Sequence, residues 1–137
     1  MVEAEISYRV PYADTDQMGV VYYANFFVYF ERVRNELLRN MGLPYTTLEA
    51  DGLMLPVASA NCDYKIPAKY DDMLLIKASI SEMKGCRMLV KNEVFNQNGD
   101  LLVVGGTTHC FVSAETRRPV KIPENVMTLF NDYKESK

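Results

Sequence analysis

The stretch Tyr12-Ala13-Asp14-Thr15-Asp16-Gln17-Met18-Gly19-Val20-Val21-Tyr22-Tyr23-Ala24-Asn25 decides how the rest of the chain is read. Asp14 and Asp16 stand one residue apart, Gly19 offers a tight turn, and from about Tyr22 the apolar residues take up a helical period. Tyr23, Phe26, Phe27, Phe30, Val33, Leu37 and Met41 fall on one side, with Asn25, Arg32, Glu36 and Arg39 on the other. Gly42 and Pro44 stop the pattern. A helix of about 18 to 20 residues then spans roughly 30 Å. Its stripe is aromatic and broad, which predicts a largely enclosed core helix. The acidic loop therefore abuts a helix start, where unpaired N–H groups and the positive end of the macrodipole stabilise negative charge. A carboxylate beside such donors suits acyl transfer. The spacing alone favours a turn or N-cap carboxylate at Asp16.

Upstream, residues 5–10 alternate in the period of a half-buried strand that Pro11 ends. Downstream, residues 45–51 read as a short helical connection closed by Gly52, after which the pattern is β almost to the end. Residues 53–66, 73–83, 87–95 and 101–112 read as strands, separated by the turn-like run 67–72, by Lys84-Gly85 and by Asn98-Gly99. Asn98-Gly99 is the strongest hairpin signal in the chain. Gly105-Gly106 marks a bulge or a close backbone approach. Pro123 suits the first turn of a last helix, with Val126, Leu129, Phe130 and Tyr133 on its apolar face. The order is strand, long helix, four strands in antiparallel succession, short helix. This predicts an α+β fold in which a curved five-stranded antiparallel sheet wraps a long central helix, and whose open edges invite pairing in a dimer.

Composition narrows the function. With 137 residues and 48% hydrophobic content, residues 1–137 are expected to form a single domain. A net charge of −3 gives no reason to expect nucleic acid or an anionic membrane. The start Met1-Val2-Glu3-Ala4-Glu5 is acidic where a secretory signal is basic and then apolar, and no apolar run reaches the length of a membrane span. Cys62, Cys86 and Cys110 are odd in number and widely spaced, with His109 the one imidazole. They predict buried reduced thiols rather than a disulfide framework or a zinc site, and hence a cytoplasmic protein. There is no G-x-S-x-G elbow, no H-E-x-x-H and no phosphate-binding G-x-x-x-x-G-K loop.

The run Tyr12-Ala13-Asp14-Thr15-Asp16-Gln17-Met18-Gly19-Val20-Val21-Tyr22-Tyr23-Ala24-Asn25-Phe26, with Tyr29-Phe30-Glu31 after it, resembles the signature of the YbgC/4-hydroxybenzoyl-CoA thioesterase family. Further matches are Cys62-Asp63-Tyr64, Pro67-Ala68, Tyr70-Asp71-Asp72, Gly106-Thr107-Thr108-His109, Arg118-Pro119-Val120 and Ile122-Pro123, so the resemblance spans essentially the whole chain. It implies the hotdog fold, subunits paired into a continuous sheet as a dimer or a dimer of dimers, and active sites at the dimer interface. It also implies thioester hydrolysis without a metal or bound cofactor, CoA entering only as part of the substrate. The family pattern places the catalytic carboxylate at Asp16, as nucleophile or general base, and the oxyanion donor at the backbone N–H of Tyr23. Gly19, Val20, Val21 and Tyr22 are the expected substrate-binding positions. Members close to the YbgC branch carry His where this chain has Tyr23; a backbone donor survives that change.

Other residues have quieter readings. Asp14 is expected to satisfy loop N–H groups, Glu31 to be solvated or hydrogen-bonded, and His109 to be structural. Lys84, Arg87 and Lys91 are surface charges that are also candidates for CoA phosphates. The expected activity is hydrolysis of a short-chain or aromatic acyl-CoA to free acid and CoA. The alternatives are an acyl-carrier-protein thioesterase and a non-catalytic acyl-CoA binder.

Overall fold

The computed structural model describes residues 2–136. Strand β1 (Val2–Arg9) leads through a 3-10 turn at Tyr12–Asp14 to helix α1 (Asn25–Asn40) and the short α2 (Tyr45–Ala50). Then come β2 (Leu53–Met54), β3 (Val57–Tyr64), β4 (Met73–Lys84), β5 (Arg87–Phe95), β6 (Leu101–Cys110), β7 (Val112–Ser113) and α3 (Glu124–Ser136). One antiparallel sheet has the order β1-β4-β5-β6-β3, and β2 pairs with β7 in a separate two-stranded ribbon. The expected strand over residues 53–66 is thus split at Leu55-Pro56 into β2 and β3, and that over 101–112 into β6 and β7. β3 does not pair with its successor β4; it crosses to the far edge beside β6. This is the hotdog arrangement.

The helix packs on the sheet through most of the expected stripe, with Tyr29 added to it, Phe27 only half-buried and Tyr23 exposed. Phe26, Tyr29, Phe30, Val33 and Leu37 are buried against inward-facing Leu74, Ile76, Ile80, Met88, Val90 and Val94, the strand residues alternating as a one-sided sheet requires. At Gly105 the helix comes so close that a Cβ would sit 2.5 Å from the Asn61 carbonyl oxygen and 2.8 Å from the Phe30 ring. β6 pairs in regular register there, so close approach, not a bulge, explains the glycine.

Two expectations need correction. α1 begins at Asn25, and its 16 residues give about 24 Å rather than 30. Tyr22–Ala24 form a lead-in turn, in which the Asn25 N–H donates to the Tyr22 carbonyl (2.9 Å) while the Tyr22 N–H donates to the Asp14 carbonyl (2.9 Å). The cysteines are free but half-buried, not buried. Among the described residues no helix is long and apolar enough to cross a membrane.

Candidate active site

Asp14 fixes the acidic loop. Its Oδ2 accepts the Tyr8 hydroxyl from β1 and the Tyr29 hydroxyl from α1, each at 2.7 Å. Its carbonyl accepts the Tyr22 N–H and the Asn25 Nδ2, each at 2.9 Å. Asp14 is structural as expected, yet by a different route: phenols, not loop N–H groups, meet its carboxylate. Burial first, then the Asp14 hydrogen bond and charge, push both phenols above their ordinary range, so they stay protonated and donate.

Asp16 sits at the mouth of the tight turn that follows. Its N–H donates to the Val20 carbonyl (2.9 Å), its carbonyl accepts the Gly19 N–H (3.0 Å), and Gly19 takes φ +79°. That left-handed geometry favours glycine. One carboxylate oxygen, Oδ1, accepts the Met18 N–H at 2.8 Å, a turn-carboxylate bond. Val21 is tied by its N–H to the Ala68 carbonyl (2.8 Å), which draws residues 64–68 alongside the loop.

Between the two segments lies a cleft of about 320 Å³, to which Asp16, Val20, Val21 and Tyr23 contribute. Phe26 and Tyr64 supply its aromatic wall, the ring centroids 5.7 Å apart, and Lys65, Ile66, Pro67 and Ala68 complete the opposite side. Of the expected site positions, Gly19 and Tyr22 do not line it: Gly19 makes the turn, and Tyr22 is exposed, its ring tilted against that of Tyr23 with centroids 4.8 Å apart. Tyr64 reaches across and donates its hydroxyl to the Tyr23 carbonyl at 3.0 Å. Among the described residues no protein acceptor takes the Tyr23 or Ala24 N–H, the donors that a helix start leaves open. Asp16, Tyr23 and the Phe26–Tyr64 aromatic wall therefore share one cleft, and the N–H of Tyr23 is without a protein acceptor among the described residues. Such a set can activate a nucleophile and stabilise an oxyanion.

Of the far wall, Tyr64, Pro67 and Ala68 carry part of the family resemblance, Lys65 and Ile66 carry none, and none of the five has a site role legible in the sequence. The one available signal was an aromatic at a strand end just before Pro67. Lys84, Arg87 and Lys91 do not line the cleft, whereas Lys65 does. Glu31 is exposed. His109 is fully buried; its Nδ1 donates to the Leu55 carbonyl at 3.4 Å and its Nε2 accepts the Thr107 hydroxyl at 2.8 Å. Burial, assisted by the Arg34 charge, pulls it down to about 4, so it is neutral and structural. Arg34, unremarked in the sequence, is itself buried and donates from Nε to the Tyr45 hydroxyl at 3.0 Å.

Residues 10–130 match the model of the thioesterase-like superfamily. The acyl-CoA thioesterase YbgC of Haemophilus influenzae is 35% identical over 127 residues, covering 92% of this chain and 93% of its own. The acyl-CoA thioester hydrolase YbgC of Escherichia coli O6:H1 is 31% identical over 122 residues, covering 89% and 91%. The solved DHNA-CoA thioesterase of Staphylococcus aureus superposes with a TM-score of 0.89 at 26% identity, over 99% of this chain and 91% of that one. Family match, whole-length relatives and fold agree with the cleft at the helix start: the chain belongs to the thioesterase-like superfamily.

Proposed function

We propose that this protein hydrolyses acyl-CoA thioesters, acyl-CoA and water giving a carboxylic acid and CoA, with Asp16 as the reacting carboxylate and the Tyr23 N–H as oxyanion donor. The observation that carries the reading is the placing of Asp16 and Tyr23 on one cleft, with the Tyr23 N–H left without a protein acceptor. The thioester carbonyl oxygen points at that N–H, and the carbonyl carbon faces Asp16. Asp16 then either attacks the carbon directly, with the CoA thiolate leaving and water resolving the anhydride, or takes a proton from a water that attacks it. In both routes negative charge gathers on an oxygen beside a fixed donor and the positive end of α1, an arrangement worth about 10²–10³ in rate for one donor elsewhere. The cleft's limited volume and its Phe26–Tyr64 wall favour a short-chain or aromatic acyl group.

Pairing through β3 belongs to the same proposal. This edge strand is exposed along nearly its whole length, carries Asp63 as its one charged residue and contains no proline. Beyond Asp63 and a register irregularity between Val57 and Ser59, nothing among the described residues blunts it, so it is suited to adding a strand from a second copy. Tyr64 ends that strand and lines the cleft, so pairing there brings the partner to the rim of the site.

The test is thiol release from a panel of acyl-CoA thioesters, with Asp16→Asn in parallel. Turnover of short-chain or aromatic esters, lowered at least about 10²-fold in the variant, supports the reading. Equal rates in both proteins end the assignment of Asp16, and CoA binding without turnover by the native protein ends the hydrolase reading.

A further inference from the structure

Two thiols that the cleft does not use lie together at the other end of the sheet. Cys86 sits in the turn between β4 and β5, and Cys110 is the last residue of β6. Their sulfurs are 3.1 Å apart, with the Cys110 thiol donating to Cys86 Sγ. The backbones are held in step: Arg87 pairs with Cys110 in the ladder, and the Phe111 N–H donates to the Cys86 carbonyl at 2.7 Å. Cys86 lies one residue before Arg87, the ladder partner of Cys110, and even with that offset the sulfurs need to close by only about 1 Å to reach bonding distance. Both residues are half-buried, open to a small oxidant yet held by the sheet.

We propose that Cys86 and Cys110 are a redox pair that closes to an intramolecular disulfide in the presence of a low-molecular-weight disulfide and reopens on reduction. One protein thiolate attacks R–S–S–R, forming a mixed disulfide and releasing R–S⁻. The second protein thiolate attacks the protein sulfur of that mixed disulfide, forming the Cys86–Cys110 bond and releasing the second R–S⁻. The protein loses two electrons and two protons; R–S–S–R gains them as two R–SH. The hydrogen bond that Cys110 donates to Cys86, together with burial, pushes the Cys110 thiol up, so exchange at that sulfur proceeds through a small thiolate fraction.

The closed form joins the β4–β5 turn covalently to the end of β6. The β4–β5 turn is already joined to the lead-in of α3 by the Ile122 N–H donating to the Gly85 carbonyl (2.8 Å), and to β6 through Phe111. A covalent bond there closes the loop from residue 86 to 110 and so restricts the unfolded chain. The pair lies near the Val57 end of β3, whereas the cleft lies at its Tyr64 end, roughly 20 Å along the strand. Oxidation therefore changes stability rather than the acyl site.

The test uses the full-length protein with oxidised glutathione, followed by thiol titration after denaturation and mass spectrometry of a non-reduced digest. The expected result is a fall from three titratable thiols to one, a peptide joining Cys86 to Cys110, reversal by dithiothreitol and a raised thermal midpoint. Cys62→Ala forms the same bond, and Cys86→Ser stops at a mixed disulfide on Cys110. Three persisting thiols, glutathione adducts without the cross-link, or bonds through Cys62 or between chains overturn the proposal. None of these readouts depends on thioester hydrolysis.

Discussion

Removing the Tyr29 hydroxyl tests how the acidic loop is held. Tyr29→Phe keeps the ring contacts, 5.4 Å to Phe26 and 4.9 Å to Tyr8, and deletes only the 2.7 Å bond to Asp14 Oδ2. Tyr29 is 1% exposed, so water does not replace the lost donor. A hydrogen bond to a charged group contributes about 1.5–3 kcal/mol. For a chain of 137 residues, about 2 kcal/mol lowers the thermal midpoint by roughly 7 °C. Tyr8→Phe removes an equal bond from a less buried position and retains the Arg32 guanidinium 4.9 Å above the ring, so its loss is smaller. Because both phenols share one oxygen, the double variant departs from additivity. Urea unfolding checks this: the midpoint falls in the order native, Tyr8→Phe, Tyr29→Phe, with an unchanged slope. A Tyr29→Phe loss below about 0.5 kcal/mol, or a larger loss at Tyr8, refutes the anchor.

Three further outcomes follow from the geometry. Gly105→Ala drives a methyl group into the Asn61 carbonyl and the Phe30 ring and costs about 1–3 kcal/mol; Phe30→Leu in the same chain restores only part of it, because the Asn61 contact is backbone. His109 is held down to about 4 against an ordinary 6.5, so the unfolded chain takes up a proton that the folded one refuses between those values. The stability this imidazole allows is present above about pH 6.5 and erodes by up to about 3 kcal/mol as pH falls to 4; denaturation of His109→Gln shows a flatter fall across that window. Tyr64→Phe removes the bond to the Tyr23 carbonyl and lowers kcat/KM for thioester hydrolysis, while an exposed hydroxyl makes the stability change less than about 1 kcal/mol.

The sequence carried local order well and long-range order poorly. The stripe from Phe26 to Leu37 names the buried face of α1, and Asn98-Gly99 marks the hairpin where Gly99 takes φ +81°. Gly105-Gly106 announces a special backbone position without saying that Phe30 is what needs the space. Alternation is the same for any partner, so nothing in residues 57–64 says that β3 joins β6 rather than β4. The near wall of the cleft is one contiguous stretch and was readable, whereas the far wall comes from 64–68 through the Val21–Ala68 bond. Spacing in the chain also hid the Cys86–Cys110 contact, which the pairing of β5 with β6 creates.

The most direct measurement is a crystal structure of Asp16→Asn bound to the best acyl-CoA substrate of the native protein. The predicted result is a thioester carbonyl oxygen within about 2.7–3.2 Å of the Tyr23 nitrogen, with its carbon facing residue 16 across the Phe26–Tyr64 wall. A thioester bound elsewhere, or seated in the cleft with its oxygen turned from the Tyr23 N–H, contradicts the proposed chemistry.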